Sequence, residues 1–206
     1  MVARCLRYDV EGWGVGELWL DGATVLAHAL PSPARANDVR PPGGVSSPAR
    51  TIADEASRAG ADFVPALFQR IRAHLGGRRT DYADLSLDLE WCTQFQDSLA
   101  RALQKVPWGD VVSYGELAAL AGRPRAARAA GTFCAENRFS LFLPCHRVVA
   151  ANGIGGYGDT GVEVKRRLLA ATTRWQGRKS ENRFSAQKVP AARAARGRPA
   201  RAASSP

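Results

Sequence analysis

The segment Pro144-Cys145-His146-Arg147 contains the residue types in this sequence that are best suited to do chemistry. The thiolate is the nucleophilic form of cysteine, and His146 and Arg147 supply donors and positive charge that favour it. Pro144 fixes the path of the chain into the segment. Since neighbours on an extended strand point to opposite faces, a bridging water could carry the Cys145 proton to His146. The segment predicts a nucleophile, and the alternative is an ordinary buried cysteine.

The stretch Arg123–Gly131 (RPRAARAAG) combines arginines with very small residues. A helix that reads base edges usually presents Asn, Gln, Arg or Lys to the major groove. A slim helix flanked by arginines instead suits close approach to DNA without sequence reading, as in minor-groove binding. An Ala-rich helix that merely packs on its neighbours is the alternative. The small residues are Ala126, Ala127, Ala129, Ala130 and Gly131.

A nucleophile beside a DNA-facing helix indicates chemistry on a base. A base must leave the stack to be reached, so the protein needs a pocket for it and a plug for the gap. Arg128 lies at the centre of the slim helix and is long enough to be that plug.

Two short helices joined by a Gly-containing turn precede the cysteine segment. Ser113 followed by Glu116 is a capping-box pattern that begins a helix over 114–120, and Gly122 ends it. A second helix is predicted from about Pro124, an allowed first-turn position, to 135. The pair resembles a helix-turn-helix.

The first half of the chain predicts mixed α/β structure without a motif of obvious chemistry. Alternating apolar residues favour strands, Asp21-Gly22 favours a hairpin turn, and paired glycines end a helical pattern. The predicted strands of the whole chain are Cys5–Val10, Gly16–Leu20, Thr24–Leu30, Tyr82–Leu89 and Leu141–Leu143. The other predicted helices are Thr51–Ala59, Asp62–Leu75, 91–106 and Val162–Ala171, with loops over 31–49 and 152–161.

The formal net charge of +10 comes mostly from residues 174–206, which hold nine Lys or Arg and one acid, Glu181. Such a segment binds polyanions loosely or is solvated, and it has too few large apolar residues to offset chain entropy, which predicts disorder. No apolar run reaches the roughly 18 residues of a membrane span, and the N-terminus lacks the apolar core of a signal peptide. The four cysteines show no pairing pattern, so we expect a cytoplasmic protein with free thiols, and a monomer.

Residues 95–171 resemble the O6-alkylguanine-DNA alkyltransferase family, the methylated-DNA–protein-cysteine methyltransferases. The matching segments are FQ (95–96), VPWGDVVSYGELAALAGRPRAARAAG (106–131), ENRF (136–139), LPCHRVV (143–149), NGIGGYG (152–158) and VKRRLL (164–169). The resemblance implies a ribonuclease-H-like α/β domain over 1–88, which matches only in length and α/β character. It also implies a winged helix-turn-helix domain over 89–173, before a basic tail over 174–206.

The resemblance implies direct repair of O6-alkylguanine in double-stranded DNA, without a cofactor. Cys145 would accept the alkyl group, His146 would deprotonate it through a water, and Tyr114 would rotate the nucleotide and protonate the leaving purine. Arg128 would fill the vacated stack. The further DNA-binding residues would be Gly115, Arg123, Ala126 and Ala127. The pocket and its supports would include Asn137, Pro144, Arg147, the amides near Cys145 and Val148, and Tyr157.

The chain departs from the family pattern near its last predicted helix. Thr172 stands where the family usually carries a Glu that orients the catalytic histidine, as the Asp does in a Ser-His-Asp triad. A hydroxyl stabilises an imidazolium less well, so we expect transfer to be slowed or lost. Glu163 is a conceivable substitute, although it lies on the preceding turns. Two smaller departures are the loop GYGDTG at 156–161, which affects pocket closure, and Ala100 in place of a Trp, which affects packing.

Three other functions stay open on the sequence. A lesion sensor that flips alkylguanine without transfer fits Thr172, although relatives of that kind lack the cysteine. A transcriptional regulator fits the helix-turn-helix, although the Ala-rich helix argues against sequence specificity. A cysteine hydrolase is disfavoured, because no oxyanion-hole motif is visible.

A structural zinc, which some members of the family bind in the N-terminal domain, is not expected here. Cys5 and His28 are the candidate ligands, and two are too few for a closed site. We expect His74 to cap the end of its helix or to face water.

Overall fold

The computed structural model describes residues 3–33 and 62–172. It begins with a three-stranded antiparallel sheet of β1 (Arg4–Val10), β2 (Gly14–Asp21) and β3 (Thr24–Ser32), in that order. The turn between β2 and β3 contains Gly22 at φ 57°, a left-handed backbone that glycine adopts without strain. The three predicted N-terminal strands and their hairpin turn are therefore confirmed. The predicted helix Thr51–Ala59 and the tail 174–206 lie outside the described residues.

Five helices follow the sheet in the described part of the chain. They are α1 (Phe63–Leu75), α2 (Gln94–Gln104), α3 (Tyr114–Leu120), α4 (Ala127–Ala135) and α5 (Val162–Thr172). Capping boxes begin two of them, because the side chains of Thr93 and Ser113 accept from the backbone N–H groups of Gln96 and Glu116. Among the described helices, none combines the length and the apolar character that crossing a membrane requires.

Two predicted helices begin later in the chain than the sequence suggested. The capping box at Thr93 excludes Trp91 and Cys92 from α2, where 91–106 was expected. The α4 helix begins at Ala127 instead of Pro124, because the N–H of Ala126 closes a separate turn onto the Arg123 carbonyl at 3.0 Å. Ala100, the residue in place of a Trp, is fully buried on α2.

The predicted strand Tyr82–Leu89 is wrong. This segment forms turns, with a single parallel bridge between Leu87 and Val25 of β3. The carboxylate of Asp81 accepts the N–H of Ala83, and that of Asp88 accepts the N–H of Glu90. Such local side-chain bonds compete with a strand ladder. Tyr82 and Leu85 are buried as packing groups instead, and Leu87 and Leu89 are half-buried against the core.

The predicted strand Leu141–Leu143 is also wrong. Leu141 has a φ of 74°, in the left-handed region, which is incompatible with an extended strand. The N–H of Leu143 donates to the carbonyl of Phe139 at 2.8 Å, so the chain turns tightly before it reaches Pro144. The burial of these apolar residues, rather than strand pairing, accounts for the apolar pattern.

The two halves of the chain share one core, and β3 joins them next to the cysteine segment. The backbone N–H of His28 donates to the Arg138 carbonyl at 2.7 Å. Its ring bonds the Ser140 carbonyl through Nδ1 and the Tyr8 hydroxyl through Nε2, each at 2.5 Å. The Nδ1 bond joins the two halves and the Nε2 bond holds the ring to β1, so both ring nitrogens of His28 are engaged by groups other than Cys5. The described residues contain no group of three or more potential metal ligands.

The second half of the chain is organised by a short parallel pair and by α5. Strand β4 (Val112–Ser113) pairs with β5 (Val148–Val149), one immediately before α3 and the other immediately after the cysteine segment. Helix α5 packs against α1 and against the cysteine segment. These contacts bring the start of α3, the cysteine and the last helix to one place.

Loss of the α3 cap is expected to destabilise the protein. Ser113→Ala leaves the Glu116 N–H without its acceptor and should lower the free energy of unfolding by about 1 kcal/mol. Urea denaturation followed by circular dichroism measures this. The control is Ser98→Ala, whose hydroxyl only donates to the Gln94 carbonyl within α2, so its effect should stay within about 0.5 kcal/mol. Equal effects of the two variants would contradict the assignment.

Candidate active site

Cys145 begins a 3-10 turn, Cys145–Arg147, and the strand Leu141–Leu143 that was predicted to lead into it is absent. The N–H of Cys145 donates to the Leu143 carbonyl at 2.7 Å, and that of Arg147 donates to the Pro144 carbonyl at 2.9 Å. The thiol is buried, with 3% of the residue exposed. All four cysteines of the chain are free. The turn therefore presents a buried, free thiol at its first residue.

Asn137 ties the end of α4 to this turn. Its Nδ2 donates to the Cys145 sulfur and to the Leu143 carbonyl, both at 2.9 Å, and its Oδ1 accepts the Phe139 N–H at 3.0 Å. The family resemblance placed Asn137 among the supports of the pocket, and the structure adds a direct hydrogen bond to the sulfur. An amide donor to sulfur favours the thiolate.

Burial raises the pKa of the Cys145 thiol, and its neighbours oppose that shift. The hydrogen bond from Asn137, the charge of Lys165 and the hydroxyl of Tyr157 each lower the pKa. The sequence predicted that the charge of Arg147 would favour the Cys145 thiolate, but this side chain is engaged elsewhere. Its guanidinium donates to the Val106 carbonyl at 3.0 Å and lies over the Trp108 ring at 5.2 Å, with its own pKa lowered to about 10 by burial.

Lys165 on α5 is the charged residue of the site that the sequence reasoning missed. It is fully buried, and its Nζ donates to the carbonyls of Val148 and Gly156 at 2.6 and 3.0 Å. The ammonium also lies over the rings of Tyr114 and Tyr157, at 5.7 and 6.0 Å. One signal was available, because Lys165 shares helical spacing with the buried residues of α5, namely Leu168, Leu169 and Thr172.

Two tyrosines line the space around the sulfur and the ammonium. Burial raises the pKa of Tyr114 to about 12 and holds the pKa of Tyr157 well above its ordinary value, so both remain phenols at neutral pH. The Tyr157 hydroxyl lies beside Cys145 without a hydrogen bond of normal geometry. Gly155 has a φ of 74°, and a side chain there would come within 3.1 Å of the Tyr114 ring. The Gly-rich loop is thus shaped to let Tyr114 stand close to it.

His146 is fully buried, and neither ring nitrogen has a hydrogen-bond partner among the described residues. Burial, followed by the charge of Arg147, holds the pKa of His146 well below its ordinary value. The ring is therefore neutral at neutral pH, and its surroundings disfavour the protonated form. Its nearest aromatic neighbours include His74 of α1, at a ring-centroid distance of 5.7 Å.

The expectation that His74 caps its helix or faces water is wrong. The residue is 1% exposed and packs its ring against His146, Tyr82 and Trp108. The final turn of α1 points into the core there, where α1 packs against α5. A sequence pattern within one helix does not reveal that contact.

Neither side chain considered as a substitute for the missing carboxylate contacts His146. The Thr172 hydroxyl donates to the Leu168 carbonyl at 2.7 Å, one turn earlier in α5. Glu163 is exposed and pairs with Arg166. His146 therefore has no carboxylate partner among the described residues.

The residues expected to face DNA lie on α3, α4 and the turn between them. Arg128 is exposed on the first turn of α4, and Ala126 and Ala127 are half-buried beside it. Arg123 is exposed in the turn, with its guanidinium 4.8 Å from the centre of the Phe95 ring. Gly115 lies in the first turn of α3, next to Tyr114. The arrangement presents positive charge on a surface with few bulky side chains.

Comparison with known proteins places this site in a family. Residues 94–173 match the family described as 6-O-methylguanine DNA methyltransferase, DNA binding domain. The methylated-DNA–protein-cysteine methyltransferase of Metallosphaera sedula is 41% identical over 50% of the chain and 64% of its own length. The protein of that name from Mycolicibacterium paratuberculosis is 41% identical over 62% of the chain and 73% of its own length.

A solved structure extends the likeness to both halves of the chain. The crystal structure of Mycobacterium tuberculosis OGT in complex with DNA is similar with a TM-score of 0.60 and 30% identity, over 81% of this chain and 90% of that one. The fold is thus a mixed α/β fold of this kind. The chain belongs to the family of methylated-DNA–protein-cysteine methyltransferases.

Removal of the buried ammonium should make Cys145 a weaker nucleophile. Lys165→Gln keeps an amide donor for the Val148 and Gly156 carbonyls but removes the positive charge, so the thiol pKa should rise. The rate of Cys145 alkylation by iodoacetamide, followed across pH by peptide mass spectrometry, should then shift to higher pH. Lys105→Gln removes an exposed charge at the end of α2 and should leave the profile unchanged. Coincident profiles for wild type and Lys165→Gln would contradict the role of Lys165.

Proposed function

We propose that this protein repairs O6-alkylguanine in double-stranded DNA by moving the alkyl group to Cys145, once per molecule. The observation that carries the proposal is the buried Cys145 thiol, which Asn137 holds and the charge of Lys165 favours as thiolate, in a chain whose α4 exposes Arg128. Relatives named methylated-DNA–protein-cysteine methyltransferase support it.

The reaction follows from the groups around the sulfur. Cys145 gives its proton to the neutral His146 through a water, and the thiolate attacks the alkyl carbon. A carbon–sulfur bond forms as the carbon–oxygen bond breaks, with the electron pair passing to the guanine. Tyr114, kept protonated by burial, donates a proton to the leaving purine, and its phenolate regains a proton from the His146 imidazolium through solvent. The product is a thioether that water does not readily hydrolyse, so the protein is consumed and needs no cofactor.

The base reaches the sulfur by leaving the DNA stack, since a duplex guanine is inaccessible to a buried thiol. Arg128 fills the gap, and Gly115 and Arg123 contact phosphates, while Ala126 and Ala127 let α4 approach closely. The amides near Cys145 and Val148 hydrogen-bond the lesion oxygen, and Tyr157 belongs to the loop that closes the pocket. The exposed arginines and the small residues of α4 support this placement.

The same proposal covers the type of each domain, the oligomeric state and the cellular location. Residues 1–88 form a ribonuclease-H-like domain and residues 89–173 a winged helix-turn-helix domain, with α4 as the DNA-facing helix. The protein acts as a monomer in the cytoplasm, where its four thiols stay free.

One observation favours a second function, a lesion sensor that binds without transfer. His146 has no carboxylate partner among the described residues, because Thr172 replaces the family Glu. A histidine without such a partner is a weaker base, and a slow enough transfer would leave only binding.

Intact-protein mass spectrometry after mixing with an O6-methylguanine duplex decides between the two. Transfer predicts a mass increase of one methyl group minus one hydrogen, which Cys145→Ala abolishes. An unchanged mass together with retained lesion binding would establish the sensor and reject the transferase.

Loss of the proposed plug should slow repair of duplex DNA more than repair of single strands. Arg128→Ala removes the group that fills the gap and should lower the single-turnover transfer rate on a duplex about 10- to 100-fold. Single-stranded DNA has little base stacking to replace, so the transfer rate on a single strand should change much less. Arg79→Ala, an exposed arginine after α1, is the matched control. Equal losses on both substrates would rule out a gap-filling role.

A further inference from the structure

The histidine of the active site lies against a second histidine from the first half of the chain. The rings of His74 and His146 have centroids 5.7 Å apart and planes inclined at 72°. Both side chains are buried, and three ring nitrogens make no hydrogen bond among the described residues, namely Nε2 of His74 and both nitrogens of His146. Buried polar atoms are nearly always paired, so this contact holds unused hydrogen-bonding capacity.

His74 is held in place by its other neighbours. Its Nδ1 lies 3.0 Å from the Thr80 hydroxyl oxygen. Its ring stacks on Tyr82 at 5.6 Å and meets Trp108 edge-on at 4.7 Å. The Thr80 hydroxyl also lies beside the phenol of Tyr82, so it can accept from the Nδ1–H of His74 and donate to that phenol. In this arrangement Nε2 of His74 carries a lone pair.

We propose that His74 is the positioning residue of His146, in the part that a carboxylate plays in other catalytic triads. Nε2 of His74 accepts a hydrogen bond from one ring N–H of His146, directly or through one water. The other ring nitrogen of His146 is then free to take the Cys145 proton. The inference rests on the proposed alkyl transfer and adds a residue from the first half of the chain to it.

The charges around the pair keep both rings neutral, as this arrangement requires. Burial, followed by the charge of Arg147, lowers the pKa of His74 to about 3, and the same two causes hold that of His146 well below its ordinary value. Lys165 further lowers the pKa of His146, and His28 further lowers that of His74. A neutral His74 keeps the lone pair that accepts from His146. It stabilises the imidazolium less than a carboxylate does, so Thr172→Glu should speed transfer.

The first test is the ¹⁵N–¹H correlation spectrum of the imidazole groups in the full chain, with each histidine assigned by its own substitution. His74 should show the tautomer that is protonated on Nδ1. His74→Phe keeps a ring in the same space without nitrogens, and it should alter the tautomer signals of His146. His146 signals unaffected by this change would overturn the proposal. The spectrum is recorded without damaged DNA, so it tests the contact between the two histidines even if the protein transfers no alkyl group.

The second test is rescue of the single-turnover methyl-transfer rate. His74→Phe should slow transfer about 10- to 100-fold, as loss of an outer-shell partner commonly does. The double variant His74→Phe/Thr172→Glu should recover the transfer rate, because the new carboxylate then accepts a hydrogen bond from His146. A slowed variant that Thr172→Glu does not rescue would assign His74 to packing alone and overturn the proposal.

The milder variant Thr80→Val guards against a folding defect in His74→Phe. It keeps His74 but removes the hydroxyl that sets its tautomer, so it should give a smaller loss of rate together with a changed His74 tautomer. Ser98→Ala, on an exposed face of α2, is the control and should match wild type. Thermal unfolding of each variant verifies that it is folded. A wild-type rate and spectrum for Thr80→Val would contradict the assigned direction of the hydrogen bonds.

Discussion

The burial of the Cys145 sulfur is the constraint on which the rest of the site depends. Burial disfavours the thiolate, so the fold must supply groups that favour it. Asn137 does so through a hydrogen bond, and Lys165 does so through its charge. The ammonium of Lys165 is itself buried and is satisfied by the carbonyls of Val148 and Gly156. The need to favour a buried thiolate therefore brings together the end of α4, helix α5, strand β5 and the Gly-rich loop.

The first half of the chain also shapes the site, although it carries no reacting group. Strand β3 holds the segment that leads to the cysteine through the backbone and ring of His28. Helix α1 places His74 against His146. The family chemistry lies in the second half, yet the environment of its histidine comes from both. A second half separated from the first would lose one wall around His146.

Local sequence signals predicted local structure well. The capping pattern of Ser113 and Glu116 predicted the start of α3, and Asp21-Gly22 predicted the hairpin. Strand predictions failed at Tyr82–Leu89 and Leu141–Leu143, where apolar residues are buried by packing and side-chain turns replace a ladder.

For the site residues too, the sequence predicted what a local motif encodes and missed what depends on tertiary contacts. The motif around Cys145 predicted a nucleophile beside a histidine, and the structure shows a free, buried thiol there. The actual contacts of Arg147, Lys165 and His74 depend on tertiary packing, which no spacing within one segment encodes.

The central claim is that one thiol in each molecule accepts one alkyl group and is then spent. The most direct measurement titrates a fixed amount of O6-methylguanine duplex with the protein and counts the guanines restored. We expect a linear rise with a slope of one guanine per protein molecule, and no further repair with time. More than one guanine per molecule would mean that Cys145 is regenerated, as in a hydrolase, and would contradict the account, as would lesion binding with no guanine restored.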